Sequence, residues 1–435
     1  AAMAAILAQP RTPTSPGLNN QSPRMKLKHF ILAACASVLL GTEASAASAY
    51  GFDAVTNEEL FSSTLLYLRS MQSELLGEPI YFMTQNLMLE LEAAHSSKPF
   101  AWLGQVHRFL NLAENMYPAA LGHPSVGVED KYDRIRRALL RLRDYPMHEV
   151  SDVPDSVSPE EGQAAAFHAA NKQWLHQKRN EFFQFLSSPR PTGGEMQVFK
   201  IYSSGVVFRT RGACIGIDIT YAEGIYDGER REELAQALDV IYVTHAHGDH
   251  YDIPLLKRML DLGKSVVAPY TMEKHLTAYS GYKDKTLFLW DDDGPTSNPL
   301  LIQKVARTQA FRSMQNPEPL LLYLIQIDDW RIIHVGDNSE HDKEAAYAQY
   351  DMADVVVAPV FQGLTSLFGS TYIAANPGNI DQIYINIHEN EWHHTIDHRV
   401  PFNYMYNNAG ALGNSAYVYP AYIATECGES FTLYK

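Results

Sequence analysis

Two patterns of hydrophobic positions divide the chain near residue 190. Apolar residues recur every three to four positions from Phe61 to Leu75, which predicts an amphipathic helix. Similar spacing predicts further helices over 82–91, 102–116, 131–143 and 158–186. Prolines and glycines over 189–194 end this pattern, so residues 50–190 are predicted to form a helical N-terminal region. Its expected role is to cover a sheet edge or to mediate formation of a homodimer, and a lid over a cleft is the alternative.

After residue 195 the apolar runs are shorter, which predicts strands. The predicted strands lie over 198–202, 206–210, 215–219, 240–243, 265–268, 321–327, 331–335, 354–359 and 382–388. Helices are predicted over 254–262 and 271–279, each following a strand. Residues 195–435 are therefore predicted to form a second domain that contains a sheet.

The composition is that of an ordinary globular protein, with 46% hydrophobic and 20% charged residues. A length of 435 residues allows two domains with sizeable cores. The net charge of -15 argues against nucleic acid as a partner, because binding phosphates requires a positive surface.

Residues 25–46 combine a basic start, an apolar run over 30–40 and the small residues Ala44-Ser45-Ala46, as a secretory signal peptide does. The apolar run is too short for a stable membrane span. Residues 1–24 are rich in Pro, Ser, Gln and Asn and are predicted to be a disordered upstream extension. The protein is thus predicted to be periplasmic or secreted, with a lipid anchor at Cys35 as the alternative. Cys214 and Cys427 could pair after export.

The strongest chemical signal is the stretch Thr-His-Ala-His-Gly-Asp-His-Tyr-Asp over 244–252. It follows a predicted strand and precedes a predicted helix. Imidazoles and carboxylates are costly to bury without partners, whereas they are ordinary ligands of zinc, iron or manganese. His245 and His247, two residues apart, are predicted to bind one metal, and Asp249 and His250 a second. A solvated histidine-rich loop is the alternative.

This His-x-His-x-Asp-His arrangement resembles the signature of the metallo-beta-lactamase superfamily, whose members are mostly metal-dependent hydrolases. The resemblance implies an α/β fold, a four-layered αββα sandwich with the metals at one edge, from about Met196 to the C-terminus. It implies that Asp337, after a glycine at a strand end, bridges the two metals, and that His388 binds the second. Asp218 resembles an aspartate that often lies behind the histidine motif. Residues 389–399 resemble a segment of one uncharacterised bacterial branch.

Other histidines leave alternatives open. His394 and His398 are four residues apart and would share a helix face, where they could bind substrate, move protons, complete the metal shell or serve only structure. The superfamily usually has a further histidine just before the strand that here starts near residue 321, and residues 307–314 contain none. Gln309 as a weak ligand, a histidine from 393–398, or an incomplete first site are the alternatives. They distinguish a two-metal enzyme from a single-metal or inactive protein.

The resemblance and the motif together predict a metal-dependent hydrolase that acts on a small molecule. Two zinc ions are expected, with manganese or iron as alternatives. A metal-activated hydroxide would attack an ester, lactone, amide or phosphoester, with Asp249 orienting it and His394 or His398 protonating the leaving group. The competing hypotheses are an iron-dependent dioxygenase of the same fold and a non-catalytic binding protein with a degenerate metal site.

Overall fold

A computed structural model describes the folded elements of the chain. The described residues are 57–77, 79–95, 105–106, 108–109, 135, 139, 142, 176–220, 230–277, 281–282, 286–289, 300–315, 317–338, 353–359, 383–388, 422–423, 428 and 430–434. Within these ranges no helix combines the length and the apolar character that crossing a membrane requires.

Before residue 190 the described residues are mostly helical, as the hydrophobic spacing predicts. Helix α1 spans Asn57–Leu75, α2 spans Pro79–His95, and α3 spans residues 176–187. The apolar stripe of α1 is buried at Phe61 and Leu68, and an ion pair between Arg69 and Glu92 joins α1 to α2. The limits of a separate N-terminal domain at 50–190 stay a prediction.

The described strands after residue 195 form two seven-stranded sheets. The first has the order β14-β1-β2-β3-β4-β5-β6 and the second β13-β12-β11-β10-β9-β8-β7. In chain order the strands are β1 (Met196–Lys200), β2 (Val206–Arg209), β3 (Cys214–Ile217), β4 (Val240–Tyr242), β5 (Ser265–Ala268), β6 (Thr286–Phe288), β7 (Leu300–Ile302), β8 (Ala306–Gln315), β9 (Glu318–Ile327), β10 (Trp330–His334), β11 (Val355–Pro359), β12 (Ile383–Ile387), β13 (Tyr422–Ile423) and β14 (Ser430–Leu433).

The two sheets pack face to face over one hydrophobic core. Val198 and Phe208 of the first sheet share this core with Ile325 and Val355 of the second. Three helices follow strands of the first sheet: α4 (Arg231–Ala237), α5 (Ile253–Asp261) and α6 (Glu273–Leu276). With α3 they cover its outer face, where a second core includes Leu234. The α/β class is therefore confirmed, and three layers fall within the described residues.

Some elements differ from the hydrophobic pattern. Strands β6, β7, β8, β13 and β14 were not predicted, because their apolar positions are few or mixed with polar ones. On β8 the inward-facing residues include the small Ala306 and Ala310, whose burial leaves a weak signal in the sequence. The helix predicted over 271–279 is shorter, since α6 ends at Leu276 and the Thr277 hydroxyl donates to the carbonyl of Lys274.

Polar residues concentrate where parallel strands end. Strands β3, β4 and β5 run parallel in the first sheet, and β10, β11 and β12 run parallel in the second. The N–H of Leu321 in β9 donates to the carbonyl of Thr244 after β4, at 2.9 Å, and so joins the two sheets at this edge. The carboxyl ends of parallel strands are the usual place for ligand sites in α/β proteins.

Candidate metal centre

Four predicted ligands come together at this edge. One ligand atom from each of Asp249, His250, Asp337 and His388 lies within 4.8 Å of the others. Asp249 and His250 lie in a short 3-10 turn after β4, Asp337 follows β10, and His388 follows β12. The cluster therefore draws its side chains from both sheets.

The imidazole of His250 is held in one orientation. Its Nδ1 lies 2.9 Å from Asp218 Oδ2, so the Nδ1–H group donates a hydrogen bond to this carboxylate. This leaves the Nε2 lone pair facing Asp337 Oδ2 at 3.3 Å and His388 Nε2 at 3.2 Å. Such a carboxylate behind a ligating histidine fixes the tautomer and the ring orientation of the ligand.

Asp218 also orients His245, through Thr244. Its Oδ1 accepts the Thr244 N–H and its Oδ2 accepts the Thr244 hydroxyl, both at 2.7 Å. The hydroxyl oxygen then accepts a hydrogen bond from His245 Nδ1 at 3.0 Å. His245 Nε2 is consequently left as a lone-pair donor toward the centre, and one buried carboxylate directs two imidazoles.

His245 and His247 form a second group beside the four-residue cluster. His245 Nε2 lies 3.0 Å from His247 Nδ1 and 3.9 Å from Asp337 Oδ2. His245 is fully buried, whereas His247 is half-buried. These two side chains could hold a second ion next to Asp337, in the pairing that their spacing predicts.

The pKa values of His250 and Asp337 indicate that the carboxylates of the centre need more positive charge beside them. Burial alone would lower the pKa of His250, but Asp337, Asp218 and Asp249 outweigh it and raise that pKa to about 10. Burial would raise the pKa of Asp337, yet His388 and His250 hold it well below its usual range. Asp218 and Asp337, whose pKa values are both lowered, attract a cation to the position that a proton on His250 otherwise fills.

Three non-glycine residues near the centre have a positive φ. Ser203 and Asp218 have φ values of 50°, and His388 has a φ of 65°. The His388 N–H points at the Ser203 carbonyl, 3.4 Å away. Backbone strain of this kind costs roughly 1–3 kcal/mol per residue and clusters at functional sites, where the surrounding structure enforces it.

Hydrophobic patterning did not identify Gln315, which ends β8. Its Nε2 donates to Asp337 Oδ2 at 3.0 Å, and next to it the Ser313 hydroxyl donates to Asn338 Oδ1 at 2.5 Å. Gln309, the substitute ligand considered from the sequence, lies six residues earlier on β8, about 20 Å away along an extended strand. The dipeptide Asn316-Pro317 is typical of turns, and this signal in the sequence would have placed the strand end at Gln315.

His334 is a second residue to which the sequence assigned no role. It ends β10 and is fully buried, and its Nδ1 accepts the Gly336 N–H at 3.2 Å. Burial lowers its pKa to about 4, so the ring is neutral and its Nε2 hydrogen faces the Ser204 carbonyl at 3.4 Å. It supports the turn that carries Asp337.

The donor set fits a divalent metal. Two imidazole nitrogens and two carboxylate oxygens converge at this position. The other ring nitrogen of His250, Nδ1, is already hydrogen-bonded to the Asp218 carboxylate. Zinc, iron and manganese all accept such ligands. The ligand roles of His245, His247, Asp249, His250, Asp337 and His388 stay predictions, and His394 and His398 lie outside the described residues.

Similar proteins give a consistent picture. A family model described as "Beta-lactamase superfamily domain" matches residues 197–375. A protein of Pyrococcus horikoshii named as a metal-dependent hydrolase is 30% identical over 138 residues, which are 30% of this chain and 57% of that relative. This chain thus spans little more than half of the relative's length.

Two solved structures are more distant. Igni18, a metallo hydrolase from Ignicoccus hospitalis, has 17% identity and a TM-score of 0.38, over 55% of this chain and 99% of that one. The metallo-beta-lactamase fold protein YhfI from Bacillus subtilis has 13% identity and a TM-score of 0.38, over 55% of this chain and all of that one.

Proposed function

We propose that this chain is a metal-dependent hydrolase, because residues 197–375 match a family model described as "Beta-lactamase superfamily domain". The observation that carries the proposal is the convergence of Asp249, His250, Asp337 and His388 on one point at the sheet edge. Buried carboxylates and imidazoles in this arrangement are stable only with a cation or protons between them.

The bound metal would supply hydroxide at neutral pH by lowering the pKa of water from 15.7 to about 7. The side chain of Asp249 is the most exposed of the four, with 23% of its surface accessible, so it borders the solvent from which water and substrate enter. Its carboxylate would accept a hydrogen bond from the nucleophile and orient it. His394 or His398 would donate a proton to the leaving group.

We propose an ester, lactone, amide or phosphoester of a small molecule as the substrate. Each of these centres gains negative charge on an oxygen during attack, which a positively charged centre stabilises. The same ligands suit iron, so an iron-dependent dioxygenase is the second chemistry to test, and a metal-poor binding protein is the third.

The experiment is elemental analysis of protein purified without a metal-affinity tag, followed by hydrolysis assays with esters, lactones and phosphodiesters. Zinc or manganese with turnover that a chelator abolishes would support the proposal. Asp249→Ala should remove most of that turnover. Asp239→Asn is the control and should retain it, because Asp239 lies at the opposite end of β4, where its carboxylate accepts the Cys214 N–H. Iron with substrate-dependent oxygen consumption, or a chain without metal, would refute it.

We also propose that the chain is exported to the periplasm or beyond the cell. Residues 25–46 support this, since they have the three regions of a signal peptide. N-terminal sequencing of the protein recovered from fractionated cells is the test, and a mature chain that begins just after Ala46 is the expected result. A cytoplasmic protein that still begins before Met25 would contradict export.

A further inference from the structure

Gln315 contacts the same oxygen that two histidines of the centre face. Asp337 Oδ2 lies 3.0 Å from Gln315 Nε2, 3.3 Å from His250 Nε2 and 3.9 Å from His245 Nε2. The other oxygen, Oδ1, contacts His388. Asp337 therefore directs Oδ1 at His388, while Oδ2 is shared by Gln315, His250 and His245.

The hydrogen bond from the Gln315 amide to Asp337 Oδ2 disfavours the binding of a second metal ion. Asp337 Oδ2 has two lone pairs, of which one accepts the hydrogen bond from Gln315 and the other faces the position beside His250, so neither is directed at an ion held by His245 and His247. The amide N–H is a donor and cannot ligate a cation. The same hydrogen bond holds the carboxylate beside His250 and His388.

The amide oxygen of Gln315 does not compensate for this. Oε1 is buried and has no hydrogen-bond partner among the described residues. With Nε2 on Asp337, His245 and His247 have no third strong ligand from β8. Carbonyl oxygen is in any case a poorer ligand than imidazole for zinc and similar metals.

We propose that Gln315 is a positioning residue that directs Asp337 to a single tight metal position, formed with Asp249, His250 and His388. The position at His245 and His247 then binds a second ion much more weakly. This inference rests on the proposed function, because it requires a metal at the four-residue cluster.

The test is calorimetric titration of the metal-free full chain with Zn²⁺, repeated with Co²⁺, whose absorption spectrum reports the ligand set. The wild-type chain should show one tight step and one step weaker by about tenfold or more. Gln315→His should tighten the second step by about tenfold or more and add a new Co²⁺ band. Gln309→His, the same replacement six residues earlier on β8, should leave both steps unchanged.

A second variant guards against misfolding of the histidine variant. Gln315→Glu preserves the length of the side chain and offers a carboxylate, so it should also tighten the second step. Without metal it should melt at a lower temperature than the wild-type chain, because two carboxylates would then face each other.

The outcomes separate the two proposals. A wild-type chain that binds no metal would refute the proposed function and this inference with it. Two ions of equal affinity in the wild-type chain, or an unchanged second step in folded Gln315→His and Gln315→Glu, would refute the role of Gln315 and leave the proposed function standing.

Discussion

Asp218 is not a predicted metal ligand, but it orients two imidazoles of the centre by hydrogen bonds. Its two oxygens accept hydrogen bonds from Thr244 and from His250 Nδ1, and Thr244 passes the orientation on to His245. Burial would raise the pKa of Asp218, but His250, His334 and His245 outweigh burial and lower it. A single ionised carboxylate thus determines which nitrogen of two rings is free to bind metal.

Asp218→Asn should lower metal affinity by about tenfold to a hundredfold, the usual effect of losing a partner behind a ligand. Asparagine keeps the shape and tolerates the positive φ, so the fold should be retained. Competition with a chromophoric chelator measures the affinity. Asp239→Asn is the matched control, and equal losses in the two variants would contradict the role of Asp218.

Cys214 is a free, buried thiol, and Cys427, its possible disulfide partner in the sequence, lies outside the described residues. Burial raises the pKa of this thiol to about 12. The reactive thiolate is therefore scarce at pH 8 in the folded chain. Alkylation followed by peptide mass spectrometry should find Cys214 unmodified until denaturant is added. Rapid labelling of the native protein would contradict this assignment.

At the scale of elements, the turn after β10 fits against the turn after β4. Gly336 has a φ of 55°, and a Cβ at this position would lie 2.8 Å from Thr244 Oγ1 and 2.9 Å from Thr244 Cβ. The close approach brings Asp337 beside the histidines, because Thr244 precedes His245 and Gly336 precedes Asp337. Glycine is required at this contact on both counts.

Gly336→Ala should destabilise the protein by about 1–3 kcal/mol, from the strained φ and the contact with Thr244. It should also weaken metal binding, since Thr244 would move. Chemical denaturation and metal titration measure the two effects. Gly248→Ala is the control for stability, because open space surrounds that position and its change should stay within about 0.5 kcal/mol.

The sequence predicts the elements best where the apolar runs are long. Strand β4, helix α5 and the β9–β10 hairpin agree with the pattern because each buries a continuous apolar face. The histidine motif stands out for the opposite reason, since its polar residues interrupt such runs. Gln315 could not be identified this way, because its role depends on the length of β8 and on a contact with Asp337, 22 residues further along the chain.

At the scale of the whole molecule, the centre joins the two sheets. His245, Asp249 and His250 follow a strand of the first sheet, while Asp337 and His388 follow strands of the second. A metal bound here would link the edges of the sandwich, and ligand binding to the folded state alone adds to stability in proportion to the logarithm of its concentration.

Saturating metal should therefore raise the apparent unfolding temperature of the metal-free chain. At a free metal concentration 100 times Kd the gain is about 2.7 kcal/mol, which corresponds to roughly 5–10 °C. Thermal scans with and without Zn²⁺ measure the rise, which His250→Ala should abolish. An equal rise in this variant would assign the stabilisation to metal bound elsewhere.

The ligands also fix the moment at which the chain can take up its metal. His250 meets Asp337 across 87 residues and His388 across 138 residues, so no short segment contains the centre. The four-residue metal position therefore forms only after β12 has been synthesised and has paired with β11 in the second sheet. A chain that crosses a membrane before it folds would then select its ion from the compartment in which folding ends. Since protein ligands of this type accept several metals, the supply in that compartment, rather than the cytoplasm, would decide which one is bound.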